Sequence, residues 1–200
     1  PHSWLWLNNR QGPTANKKFR QALMFAIDRN MAKDVVWNGL GKVATGPSGS
    51  AIKYYTGAVP KYDYDPAKAK ALLKEAGYKG EKLRMLPLPY GETWQRRAEM
   101  VKQNLQDVGI NVEMSASDVP GWNQKVSEWD YDIAFTYLYQ YGDPALGVGR
   151  NYISSQIAKG SPFNNVEGYS NPEIDKLFAD GAVAFPDAAR GEIYAKAQKI

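Results

Sequence analysis

Tyr131-Asp132-Ile133-Ala134-Phe135-Thr136-Tyr137-Leu138-Tyr139 is the strongest strand signal in the chain, a run dominated by aromatic, β-branched and other apolar residues. What surrounds it decides the fold. Immediately upstream, residues 121–128 read as a helix and Ile110 to Met114 as a strand. Before those, residues 92–108 place Trp94, Ala98, Val101, Leu105 and Val108 on one helical stripe, which Gly109 ends. Lys82 to Leu86 supplies a further strand. Strand, helix, strand, helix, strand predicts right-handed crossovers and a mostly parallel central sheet flanked by helices, an α/β fold.

The same devices extend toward both ends. Residues 3–8 read as a strand and Asn9 to Thr14 as a turn-rich connection. Phe19 to Arg29 then reads as a helix, with Phe19, Ala22, Leu23, Ala26 and Ile27 on its buried face. A short helix is predicted over Met31 to Trp37, followed by a long irregular loop, Gly39 to Pro60, rich in Gly, Pro and Ser. Asp65-Pro66 is a cap followed by proline at the first helical position, with Ala69, Leu72, Leu73 and Ala76 facing inward and Gly77 as the stop. Asn171-Pro172 repeats that device, burying Ile174, Leu177 and Phe178. Pro186-Asp187 opens a last helix whose Ile193, Ala197 and Ile200 share a face. No internal repeat, low-complexity tract or strong boundary interrupts the chain, which reads as one α/β domain. Its first residues are strand-like and its last stop within a helical pattern, so truncation at both ends is expected.

Composition narrows the function. No apolar run approaches the roughly 20 residues that span a bilayer, and the amino-terminal residues lack the basic-then-apolar order of a signal peptide. With no cysteine, disulfides, thiolate metal sites and a cysteine nucleophile are excluded. The net charge of +4 is spread along the chain rather than gathered into a basic tract, which argues against nucleic acid as a partner. The 13 tyrosines and 6 tryptophans provide either core or a surface on which ligands stack. No phosphate loop of the G-x-x-x-x-G-K-[ST] kind and no metal-ligand cluster is present, so neither a metal nor another cofactor is expected.

Several words in the chain resemble, in order, those of the peptide/nickel-type (family 5) extracellular solute-binding proteins of bacterial ABC importers. Arg20-Gln21-Ala22-Leu23-Met24-Phe25-Ala26-Ile27-Asp28-Arg29 is similar to the family's R-Q-A-hydrophobic-x-x-A-I-D-R signature. Gly39 to Pro47 resembles its G-x-G-x-x-A-x-G-P loop, and Tyr64-Asp65-Pro66 through Glu75-Ala76-Gly77-Tyr78 its Y-D-P-x-K-A-K-x-L-L-x-E-A-G-Y helix. Leu105 to Val112, Tyr131-Asp132-Ile133, Gly142-Asp143-Pro144 and Tyr169 to Asp175 resemble its G-I-x-V, Y-D-I, D-P and Y-x-N-P-E-x-D segments. The resemblance implies a periplasmic-binding-protein-like (type II) lobe. Residues 1–9 would be a hinge strand and 10–200 the second, carboxy-terminal lobe, with the first lobe outside the sequence. It further implies capture of a small solute between lobes, delivery to a membrane permease, and a periplasmic or extracellular, membrane-associated location.

Ligands of open α/β sheets bind beyond the carboxyl ends of strands, which directs attention to Tyr139, Gln140, Tyr141 and Asp143. The two tyrosines suit stacking on a sugar or an apolar side chain, and equally suit packing with Phe135 and Tyr137. Asp143 suits a hydroxyl or amine contact, but its place before Pro144 favours a helix cap. In peptide-binding relatives the residue three before the D-P aspartate is an aspartate that pairs with the peptide amino group. Here it is Gln140, which lacks the charge that strengthens an ammonium contact. The resemblance therefore extends to peptides held differently, oligosaccharides or amino-acid conjugates. Asn8 near the hinge and Trp37 before the long loop are further cleft candidates, Trp37 fitting core equally well. The competing readings are a hydrolase using Asp130 with Asp132, or Asp63 with Asp65, as a carboxylate pair, and a ligand-free sensory module. The single histidine, His2, lies near the amino terminus, so a Ser-His-Asp triad requires that end to fold into a site.

Overall fold

A computed structural model describes residues 2–200. In chain order it contains β1 (His2–Leu7), α1 (Lys17–Ala26), α2 (Arg29–Met31), α3 (Pro66–Glu75), β2 (Leu83–Leu86), α4 (Glu92–Asp107), β3 (Val112–Met114), α5 (Val119–Ser127), β4 (Ile133–Leu138), α6 (Pro172–Val183) and α7 (Asp187–Ala197). The strands form one sheet in the order β1-β4-β2-β3. β2 runs parallel to β3, with Leu83 opposite Val112, and parallel to β4, with Met85 opposite Ile133. The mixed α/β class and the parallel pairing read from the alternating elements are both present.

Local chemistry accounts for most helix starts. Asp65 accepts a hydrogen bond from the Lys68 amide at 2.9 Å and Asn171 from the Glu173 amide at 2.9 Å, each just before the proline that opens α3 or α6. The Asn16 side chain caps α1 in the same manner. Where the helix read over Phe19 to Arg29 was expected to continue, α1 ends at Ala26. Ile27 takes an extended conformation, and the Asp28 carboxylate accepts from the Met31 amide at 2.9 Å to start α2. An aspartate that bonds the backbone two to three residues ahead competes with continuous helix. The expected short helix after Met31 is a wide turn of π type over Ala32–Val36.

The described residues fall into two compact units, a division that local sequence pattern does not draw. The sheet unit comprises residues 5–43 and 62–136. Its buried residues include Trp6, Phe19, Leu23, Leu83, Met85, Leu105, Tyr131, Ile133 and Phe135. The second unit comprises the chain up to Trp4, residues 44–61 and residues 137–200. Its core gathers Val148, Ile174, Leu177, Phe178, Tyr194 and Ala197, with Tyr54, Tyr152 and Tyr169 packed against it. The long loop expected over Gly39 to Pro60 carries neither helix nor strand; residues 39–43 belong to the sheet unit and residues 44–60 to this second unit.

Candidate functional site

The chain leaves β4 at Leu138, and the next residues change character at once. Ile133 to Thr136 are buried, whereas Tyr139 is 55% and Tyr141 64% exposed. Two large aromatic side chains in water, directly after a strand buried on both faces, need a support that holds the backbone. Tyr137 and Tyr139 meet edge to face with ring centroids 5.9 Å apart. The Tyr141 amide donates to the Leu146 carbonyl at 3.2 Å, and the Leu146 amide to the Asp143 carbonyl at 2.9 Å, closing a tight turn. Gly147, at φ +102°, completes it: a Cβ there would lie 3.0 Å from the Tyr139 carbonyl oxygen and 3.0 Å from Tyr141 Cδ2.

Gln140 fastens this turn to the long loop of the same unit. Its Oε1 accepts from the Gly49 amide at 2.8 Å, and its Nε2 donates to the Pro47 carbonyl at 2.6 Å. Both ends of the amide are thus engaged by backbone. Asp143 is engaged as well. The carboxylate faces the Arg190 guanidinium in bidentate fashion, Oδ2 to Nη1 at 3.0 Å and Oδ1 to Nη2 at 3.1 Å, with side chains only 19% and 23% exposed. It also accepts from the Ala145 amide at 3.0 Å. The expectation that Asp143 caps a helix is corrected to this extent: it caps a turn, and no helix follows until residue 149.

Arg190 is the centre of a wider network in the second unit. Its Nε donates to the Gly181 carbonyl at 2.8 Å and its Nη1 to the Tyr54 hydroxyl at 3.1 Å, with the guanidinium above the Tyr54 and Tyr194 rings. The Asp143 hydrogen bonds push its pKa above the ordinary arginine value. Tyr54 donates to Asp187 at 2.6 Å, and Lys53 donates to the same carboxylate at 2.7 Å. These bonds hold Asp187 below its ordinary value. Tyr54 itself sits at φ +63°, which is strained for a bulky side chain. Its ring stacks on Tyr194 at 5.6 Å, and its carbonyl accepts from Gln198 at 2.8 Å. Sequence reading missed Arg190 and Tyr54 because their partners lie 47 and 133 positions away.

The structure brings Tyr139, Gln140, Tyr141 and Asp143 together in the second unit, whereas Asn8 and Trp37 belong to the sheet unit. Asn8 is 1% exposed. Its amide nitrogen donates to the Trp129 and Tyr131 carbonyls at 3.1 and 3.0 Å, and its Oδ1 accepts from the Arg10 amide at 3.1 Å. That is the work of a fold-holding asparagine, and it leaves no free polar atom for a solute. Trp37 is half-buried, edge to face with Trp94 at 5.9 Å and beneath the Arg97 guanidinium at 5.5 Å. Burial lowers Arg97 to about 10. The alternative carboxylate pair is also engaged. Asp132 accepts from the Arg84 amide at 2.7 Å and from Arg84 Nε at 3.2 Å, while Asp130 bonds the other arm of the same guanidinium. Two carboxylates tied to one arginine form an ion network rather than an acid and a base with separated roles.

A cavity of about 230 Å³ lies within the second unit, walled by Ser48, Val148, Tyr152, Phe178, Tyr194 and Ile200 among others. Burial raises the Tyr152 hydroxyl far above the ordinary phenol range. Among the described residues no group of three metal-ligating side chains occurs, and no helix is long and apolar enough to cross a membrane.

Residues 2–159 match the family model described as bacterial extracellular solute-binding proteins, family 5 Middle. The glutathione-binding protein GsiB of Pectobacterium atrosepticum is 30% identical over 98% of this chain and 39% of its own length. The probable D,D-dipeptide-binding periplasmic protein DdpA of Escherichia coli K12 is 28% identical over 99% of this chain and 38% of its own. The crystal structure of the ABC transporter substrate-binding protein CtaP of Listeria monocytogenes superimposes with a TM-score of 0.87 at 29% identity, covering 98% of this chain and 40% of that one. The chain spans about two fifths of the length of the relatives it matches.

Proposed function

Because the chain belongs to the bacterial extracellular solute-binding proteins of family 5, we propose that it forms the second lobe of the substrate-binding component of an ABC importer. Residues 1–9 enter from the hinge and residues 10–200 build the lobe. The solute is small, peptide-like or oligosaccharide-like, and is held between this lobe and a first lobe of the same protein. No covalent step is involved. Binding favours a closed form because the solute touches both lobes at once, and the membrane permease recognises that form. The protein works in the periplasm or outside the cell.

One observation carries this reading. A central strand of the sheet, β4, ends in two exposed aromatic side chains on a backbone pinned by Gln140 and Asp143. The region beyond the carboxyl ends of its strands is where an open α/β sheet receives its ligand, and tyrosine rings offer an apolar face there. The names of GsiB and DdpA, which refer to glutathione and D,D-dipeptides, support a peptide-like solute. The Asp130 and Asp132 network supports binding over hydrolysis.

The test is a thermal-shift screen of the full-length protein against dipeptides, oligopeptides, glutathione and oligosaccharides, since a solute that binds the native state raises its melting temperature. A hit should lose affinity in the Tyr139→Ala, Tyr141→Ala double variant and show no turnover. The isolated lobe should bind weakly: a complete site of about 1 μM that loses half of its free energy falls to about millimolar. Micromolar binding by the isolated lobe would contradict the shared cleft.

A further inference from the structure

The charge state of the solute-facing strand end follows from how its polar groups are engaged. Of the residues from Tyr139 to Asp143, only Asp143 carries a formal charge. Its two oxygens face a bidentate guanidinium with both partners about four-fifths buried. Gln140 is neutral, and its amide is fixed in one orientation, because Gly49 offers an N–H that needs the Oε1 and Pro47 a carbonyl that needs the Nε2. A carboxylate at position 140 would keep the Gly49 bond but set an anion against the Pro47 carbonyl. Gly49 adds a steric condition: a Cβ there would come within 3.2 Å of Gln140 Oε1. What remains for a solute is the exposed faces of Tyr139 and Tyr141, with no unpaired anion on the segment.

We infer that this strand end is an uncharged aromatic subsite, set neutral by the Gln140 clamp, which accepts a ring-bearing, uncharged part of the solute rather than a primary ammonium. A sugar ring and an aromatic side chain beside a blocked amine share that chemistry, since each lays an apolar face on a tyrosine ring. Gln140 is then a positioning residue for specificity: it touches the loop, and through the loop fixes what the tyrosines present. The inference rests on the reading that Tyr139 to Asp143 faces the solute.

Titration calorimetry on the full-length protein tests it with three probes: Phe-Ala-Ala amide with a free amine, N-acetyl-Phe-Ala-Ala amide, whose two blocked termini leave it uncharged, and mannohexaose. At least one of the two uncharged probes should bind, and acetylation should leave peptide affinity unchanged or higher; which of the two binds separates an aromatic source from a sugar source. In Gln140→Glu the preference should shift toward the free amine by about tenfold or more. Gln140→Met, which removes the clamp without adding charge, should weaken the uncharged probe but show no such shift, which separates specificity from mere loss of structure. A wild-type preference for the free amine of about tenfold or more, an unshifted Gln140→Glu, or failure of both uncharged probes at about millimolar concentration overturns the inference. Failure of the underlying reading looks different: the Tyr139→Ala, Tyr141→Ala double variant would then bind every probe as the wild type does.

Discussion

Gly181→Ala should destabilise the protein although the position is helical. Alanine in place of glycine within a helix ordinarily gains about 1 kcal/mol from backbone entropy and propensity. Gly181 lies in α6 and is buried. A Cβ built there meets Tyr194 Cζ at 2.6 Å and both Cε atoms at 3.0 Å, so the ring would have to move. It has little room to do so, being stacked on Tyr54 at 5.6 Å, edge to face with Phe178 at 5.7 Å, and beneath the Arg190 guanidinium. Overpacking of this kind costs about 1–3 kcal/mol, and here the shifted atoms belong to a wedged ring, the expensive end of that range. Net of propensity, we expect a loss of about 1–2 kcal/mol, or a fall in melting temperature of roughly 3–6 °C for a chain of this size. Gly191→Ala is the internal control. It lies in the middle of α7, and a Cβ there only touches Tyr54 Cδ1 at 3.4 Å, ordinary van der Waals contact. That variant should gain up to about 1 kcal/mol. Urea unfolding of both variants beside the wild type decides the matter, and a Gly181→Ala protein more stable than the wild type would refute the packing described for this core.

Other outcomes follow from the same contacts. The Tyr139→Ala, Tyr141→Ala double variant should lower solute affinity about tenfold or more by calorimetry while leaving the melting temperature nearly unchanged, because both rings are exposed. Gln140→Leu should cost about 1–2 kcal/mol for two hydrogen bonds and release the Gly49 amide to rapid hydrogen exchange; a Gly49 amide still protected in that variant would show that the clamp does not hold the loop. Asn8→Ala should lose about 1–3 kcal/mol of stability in urea, since a buried and a part-buried carbonyl lose their donor, with solute affinity unaffected. Asp187 is held below its ordinary value near 3.8 by Lys53 and Tyr54. The native carboxyl therefore binds its proton less readily than the unfolded one, so its stabilisation is present above about pH 3.8 and disappears as pH falls further. The stability difference between wild type and Asp187→Asn should accordingly narrow below that pH.

What was legible in the sequence was what short-range chemistry controls. Asp65-Pro66 and Asn171-Pro172 announced α3 and α6 because a cap and a proline act within one turn. The stripe from Trp94 to Leu105 announced α4 because side chains three and four apart share a face. Asp118, which accepts from the Gly121 amide and starts α5 at Val119, was overlooked in favour of the glycine itself. The helix through Ile27 failed because an aspartate at position 28 serves the following turn better than the preceding helix. At the site, position along the chain pointed to Tyr139 and Tyr141, but not to their support. Gln140 reaches 91 and 93 residues back, and Arg190 reaches 47 back to Asp143. Nothing local marks such partners. The assignment of residues 44–61 to the unit completed by residues 137–200 is hidden for the same reason.

The interleaving of the two units has a kinetic corollary. A chain made from its amino end has every residue of the sheet unit once position 136 has emerged, whereas segment 44–61 must wait for residues 137–200 before it has anything to pack against. At ribosomal speeds of about 5–20 residues per second, making residues 137–200 takes roughly 3–13 s. For that interval an 18-residue stretch punctuated by Gly46, Gly49, Gly57, Pro47 and Pro60 hangs from an otherwise completable body, and its apolar residues, never more than two in a row, give a nascent polypeptide no long run through which to aggregate.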